Sequence, residues 1–119
     1  MTNSAKSLVP FGVYMLAVGL VMLVIPNSII TLVGFVEVDD VWVRVFGWML
    51  MSGGFVYVRV GGTGNPVFGR ASVLVRLPVV LVHLALVLLD LAPPMLIAFG
   101  VVDLAGALWT GLALRSDGA

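Results

Sequence analysis

Cysteine is absent from this 119-residue chain. That excludes disulfides, thiolate nucleophiles and Cys-ligated zinc or iron–sulfur centres. Histidine occurs once, as His83, so a single copy cannot assemble a bis-His haem or a multi-His metal site. The only lysine is Lys6, ahead of the apolar runs, which removes an intramembrane Schiff base. Charge is scarce as well. Only 10% of residues are charged, where soluble domains carry about 25%. Six basic and six acidic side chains cancel, so net charge gives no argument for a nucleic-acid partner. No cofactor, metal or catalytic residue is predicted.

What remains is apolar. Hydrophobic residues make up 61% of the chain and the mean hydropathy is +1.21. A soluble fold of this length could not hide that much apolar surface, so the lipid bilayer is the expected solvent. Four apolar runs stand out, at residues 8–25, 41–60, 71–89 and 94–114. Each has about the 20 residues an α-helix needs to cross the hydrocarbon core. Alternating segments of spanning strands, about 9–11 residues long, are missing. The expected fold is all-α: one domain over residues 1–119, an integral membrane four-helix bundle. The first run exceeds the roughly 7–15 residues of a signal-peptide core, and no small-x-small cleavage pattern follows it.

Short connections join the runs. Pro26-Asn27-Ser28 ends the first, and residues 29–36 read as an interfacial turn or short helix closed by Gly34. Gly61-Gly62-Thr63-Gly64-Asn65-Pro66 separates the second and third; it lacks a P-loop pattern and a preceding strand, so a flexible turn is the better reading. Asp90 to Pro94 forms a tight turn, with Pro93-Pro94 suited to the first turn of the fourth helix.

Charge predicts orientation. Lys6, Arg59, Arg70, Arg76 and Arg115 fall toward one side; Glu37, Asp39, Asp40 and Asp90 fall toward the other. The positive-inside rule then puts both termini in the cytoplasm, in a multi-pass protein of a bacterial inner membrane. Arg44 is the one basic residue that disobeys.

Ionisable groups within the spans are the candidate functional residues, because charge is rare and expensive there. Arg76, His83 and Asp90 recur every seven residues, on one helix face and about 10.5 Å apart along the axis. Thirteen Leu and Val residues in that run contribute roughly −4 to −8 kcal/mol of insertion energy. That offsets the cost of about +2.5 to +3.5 kcal/mol for one central charge. Asp103 lies in the middle of the fourth run, at a depth matching His83 across the tight turn. A buried polar cluster of Arg76, His83 and Asp103 is therefore expected, with an Asp103–His83 hydrogen bond or an Asp103–Arg76 ion pair open to it. The plainer reading is that such a contact only fixes helix register. Arg44, Asp40 and Asp90 are expected to form an ion pair at the outer interface. Arg59, Arg70 and Arg115 are expected to contact anionic headgroups at the inner leaflet. Gly47, Met51 and Gly54 read as one helix-contact seam, and Gly100, Asp103, Ala107 and Thr110 as another.

Several short strings resemble small DoxX-like bacterial four-span proteins: Gly19, Leu23 and Pro26 in a Gly-x-x-x-Leu-x-x-Pro arrangement, Trp42-Val-Arg-Val-Phe-Gly47, Arg70-Ala-Ser-Val-Leu-Val-Arg76, and Val102-Asp103-Leu-Ala-Gly-Ala-Leu-Trp-Thr110. The resemblance implies a four-helix membrane bundle and an accessory subunit of a membrane oxidoreductase complex; it carries over no catalytic residue. Length and span number also look like the small multidrug transporters, but the first span here lacks their acidic residue. The expected function is thus non-catalytic: an accessory or scaffolding subunit packed against other membrane subunits or against itself. The alternative is a small-molecule, lipid or quinone binder, or a proton-coupled carrier, using the polar cluster of the third and fourth spans.

Overall fold

The structure, a computed structural model, describes residues 1–34 and 41–118. Asp40, and with it part of the expected outer ion pair, lies outside them. Six α-helices appear among the described residues: α1 (Asn3–Val24), α2 (Pro26–Val33), α3 (Val41–Arg59), α4 (Pro66–Arg76), α5 (Val79–Leu88) and α6 (Leu96–Ser116), with a 3-10 turn at Gly61–Thr63. Four helical stretches are long and apolar enough to cross a membrane: α1, α3 with its 3-10 extension, α4 and α5 together, and α6. The protein is an all-helical four-helix bundle built for a bilayer.

Local chemistry sets the helix ends. α1 begins at Asn3 rather than at Leu8, because the Thr2 hydroxyl accepts the Ala5 N–H at 3.1 Å and Asp117 accepts both the Asn3 and the Ser4 N–H at 2.9 Å. These bonds satisfy donors that a helix start leaves open. The Ser4 amide, then the Asn3 amide, hold the Asp117 carboxyl below its ordinary range. Pro26 supplies the fixed φ of the first turn of α2, and Gly34 closes it at φ 103°. Asn65 caps α4 by accepting the Val67 N–H at 2.9 Å, with Pro66 following.

The third span is broken at Leu77-Pro78, where proline lacks the N–H that would continue the ladder. Asp90 ends the span: it has φ 63°, and the Leu91 N–H reaches back to the Leu86 carbonyl at 2.9 Å. Short polar side chains are the non-glycine residues that best tolerate this left-handed geometry. Pro93 and Pro94 precede α6 rather than opening it, as acceptors for the Leu96 and Ile97 N–H groups.

Helix α1 sits between α3 and α6, and α6 also packs on α4 and α5. The result is a staggered row, and the Cα trace measures 46 × 30 × 17 Å. A thickness of 17 Å leaves most side chains facing outward, including Trp48, Leu74 and Leu88. That is tolerable only where lipid replaces water.

The α1–α3 contact is the tightest. A Cβ added at Gly19 would lie 2.6 Å from the Gly47 carbonyl oxygen, and one at Gly12 would lie 2.8 Å from that of Gly54. Both helices thus present glycine at a seven-residue interval, and the two backbones touch at two levels. The seven-residue period keeps an antiparallel seam in register over that length.

Candidate functional site

Two polar centres lie inside the bundle, on either side of the Phe11 ring. The first surrounds Arg76, which is 2% exposed. It does not reach toward the membrane surface, because its neighbours hold it inward. Its Nη2 donates to the Thr110 hydroxyl at 2.7 Å. Thr110 and Ser7 hydroxyls lie 2.8 Å apart, and Ser7 donates to the Ser4 carbonyl at 2.7 Å. Since the single Ser7 proton is committed to that carbonyl, Thr110 donates to Ser7. A directed chain therefore runs from α4 through α6 to α1.

The guanidinium also lies 4.4 Å from the Phe11 ring centre and 5.6 Å from that of Tyr57, both within cation–π range. Tyr57 accepts from Ser72 at 2.7 Å and meets Phe68 edge-on at 5.2 Å. Four spans are thus tied together at the end that carries the termini. The Nε and Nη1 groups of Arg76 are buried without a hydrogen-bond partner. Among the described residues no hydrogen bond or ion pair joins Arg76 to Asp103.

The second centre is a cavity of about 460 Å³. It forms because α5 packs on α6 but makes no extensive contact with α1 or α3. Phe11, Tyr14, Val18 and Met22 line it from α1, Phe46 and Leu50 from α3, and Val79, His83, Leu96, Phe99 and Asp103 from the far side. Ile29, Ile30 and Val33 close the end away from the termini, so α2 folds back as a cover. The short segment expected near residues 29–36 thereby becomes part of the cavity wall.

Three polar side chains face this apolar space: Tyr14, His83 and Asp103. His83 Nδ1 lies 3.0 Å from the Leu96 carbonyl oxygen. A carbonyl only accepts, so Nδ1 carries the proton, and in the neutral ring Nε2 is then an acceptor. The close approach that permits this bond comes from Gly100, where an added Cβ would lie 3.0 Å from the Val80 Cα and 3.1 Å from His83 Nδ1. His83 and Asp103 share the cavity, but no hydrogen bond joins them. Neither the Asp103 carboxylate nor the Tyr14 hydroxyl has a hydrogen-bond partner among the described residues. Neither is among the fully enclosed unpartnered groups, so both reach the open space.

The row of Arg76, His83 and Asp90 is divided among three environments: a packed core, a cavity wall and an exposed turn. Arg44 donates to the Leu23 carbonyl at 2.6 Å and the Val24 carbonyl at 3.2 Å. It thus satisfies the open acceptors at the C-terminus of α1. No contact with Asp90 is found among the described residues. Arg59, Arg70 and Arg115 are exposed at the end that carries the termini.

Sequence reasoning missed Ser7, Phe11 and Tyr14 as partners of this region. The available signal was Ser4 and Ser7 at the start of an apolar helix, followed by two aromatics three residues apart. No family model, curated protein or solved structure matches this chain.

Proposed function

We propose that this integral membrane protein holds a lipophilic small molecule in the cavity beneath α2, oriented by Asp103, His83 and Tyr14. The observation that carries this reading is the cavity's make-up. Its volume of about 460 Å³ falls within the roughly 300–1,000 Å³ of small-molecule sites. Its walls are apolar, and its polar groups gather toward the middle of α6. Two of those groups, the Asp103 carboxylate and His83 Nε2, are acceptors, and Tyr14 both donates and accepts. A ligand that completes the set brings a donor. The favoured head is a hydroxyl, which donates to Asp103 or His83 and can accept from Tyr14: an alkylphenol, a quinol or a long-chain alcohol. The charge bias of the loops supports an inner-membrane location with both termini in the cytoplasm, and places the cavity in the outer half of the bilayer.

The test is equilibrium binding of a long-chain alkylphenol to the protein in neutral-lipid nanodiscs, compared with Val18→Phe, which fills the cavity from α1. Saturable binding that weakens at least tenfold in a variant of unchanged thermal midpoint supports the reading. Binding that is equal in both proteins, or never saturates, overturns it.

A second reading is the accessory subunit implied by the DoxX-like resemblance. Its support is the row arrangement, in which α3 packs on α1 and leaves Trp48, Met49 and Phe55 facing outward. Stable copurification of another membrane subunit, lost on changing Trp48 and Phe55 to Leu, would favour it.

A further inference from the structure

A separate groove of about 350 Å³ lies between α4 and α6 at the end that carries the termini. Its floor and walls are Val73, Leu74, Gly111 and Leu114, and its mouth is flanked by Arg70 and Arg115. Leu114 is buried because Gly69 makes room for it: a Cβ there would lie 2.9 Å from Leu114 Cδ2. That contact sets the depth of the helix crossing. Gly111 has the opposite environment, with nothing within 4 Å of an added Cβ, so its missing side chain leaves the groove open. Neither arginine bonds a carboxylate among the described residues. The nearest acidic residue in sequence, Asp117, is committed to the N-terminus of α1.

We infer that this groove binds an anionic phospholipid, with its phosphate between Arg70 and Arg115 and an acyl chain along Leu74 and Gly111. Two cations without a counter-charge at the membrane surface complement a phosphodiester, and guanidinium groups match its oxygens in paired geometry. Leu74 and Gly111 lie about one helical turn further from the helix ends than Arg70 and Arg115, so the apolar part of the groove is on the membrane side of its mouth. A chain-bearing anion fits both halves; a free anion fits one. Arg59, on α3, is outside the groove and takes no part.

The experiment is native mass spectrometry of the full chain in neutral detergent, with phosphatidylglycerol, phosphatidylcholine or inorganic phosphate titrated in. The expected result is preferential retention of one phosphatidylglycerol. A basic side chain near an anionic surface contributes about fivefold, so Arg70→Gln with Arg115→Gln should lower retention by roughly twenty-five-fold. Gly111→Leu should lower it without altering charge, and Arg59→Gln should leave it unchanged. Thermal midpoints in neutral detergent establish that each variant is folded. Equal retention of the two lipids, equal retention of inorganic phosphate alone, or undiminished retention in Gly111→Leu would overturn the inference.

Discussion

Alanine in place of Gly19 tests the packing of the bundle most sharply, because two known effects oppose each other there. In an ordinary helix interior Gly→Ala stabilises by about 0.8–1 kcal/mol through backbone entropy. Here the new methyl would stand 2.6 Å from both the Gly47 carbonyl oxygen and Met51 Cγ, and 2.8 Å from the Met51 backbone nitrogen. Those distances fall roughly 0.7–0.9 Å below ordinary contacts of about 3.5 Å. Two of the three obstacles are backbone atoms, which cannot rotate away, so α1 and α3 must separate. Overpacking of this kind costs about 1–3 kcal/mol, and separation also loosens the Gly12–Gly54 level. The net expectation for Gly19→Ala is a loss of about 1–2 kcal/mol. Gly12→Ala added to it should cost less than its own single effect, since one separation relieves both levels. Gly111→Ala is the internal control: with nothing within 4 Å, it should be neutral or stabilise by up to about 1 kcal/mol. Unfolding in mixed micelles with rising dodecyl sulfate, followed by circular dichroism, reads all three. A Gly19→Ala protein as stable as the original, or more so, refutes the seam.

Thr110→Val should cost about 2–3 kcal/mol in the same assay, since it removes the one hydrogen bond that the buried guanidinium makes among the described residues, and the donor to Ser7. Arg76→Met should be neutral or stabilising, because it also removes two unpartnered donors; the Thr110→Val penalty should shrink in that background. Asp117 gives a pH dependence. Its folded-state carboxyl is held below the ordinary value of 3.8 by the Ser4 and then the Asn3 amide. Its stabilising effect is therefore complete above that value and fades as pH falls through the lower folded value. Asp117→Asn should flatten the acid limb of a stability profile below about pH 4. Arg44→Gln should lower stability by about 0.5–1.5 kcal/mol, the worth of a lost C-terminal cap, and fray the end of α1 in hydrogen exchange.

The helical content and the four spans were legible because apolar runs of about 20 residues admit few other folds in lipid. Half of the α1–α3 seam was legible too, in Gly47 and Gly54; its mates Gly12 and Gly19 were hidden because the pairing depends on which helices become neighbours. The seven-residue row failed for a local reason. Pro78 interrupts the helix between Arg76 and His83, and Asp90 leaves it through a left-handed turn, so periodicity did not survive as a common face. An Asp103–Arg76 ion pair was one of the two contacts open to Asp103. Thr110, Phe11 and Tyr57 instead surround Arg76, and rings offer no sequence pattern that marks them as cation partners. Arg44 met two backbone carbonyls, acceptors that every sequence carries and none displays. The cavity was beyond sequence reasoning, since it arises from what α5 fails to touch.

The most direct test is to map where a photoactivatable alkylphenol attaches to the protein in neutral-lipid nanodiscs. The expected result is labelling of Tyr14, Val18 or Met22, which line the cavity, suppressed by excess unlabelled alkylphenol and weaker for the methyl ether, which cannot donate to Asp103 or His83. Labelling confined to the outward faces around Trp48 and Leu88, and indifferent to competitor, would contradict the assignment of the cavity as a binding site.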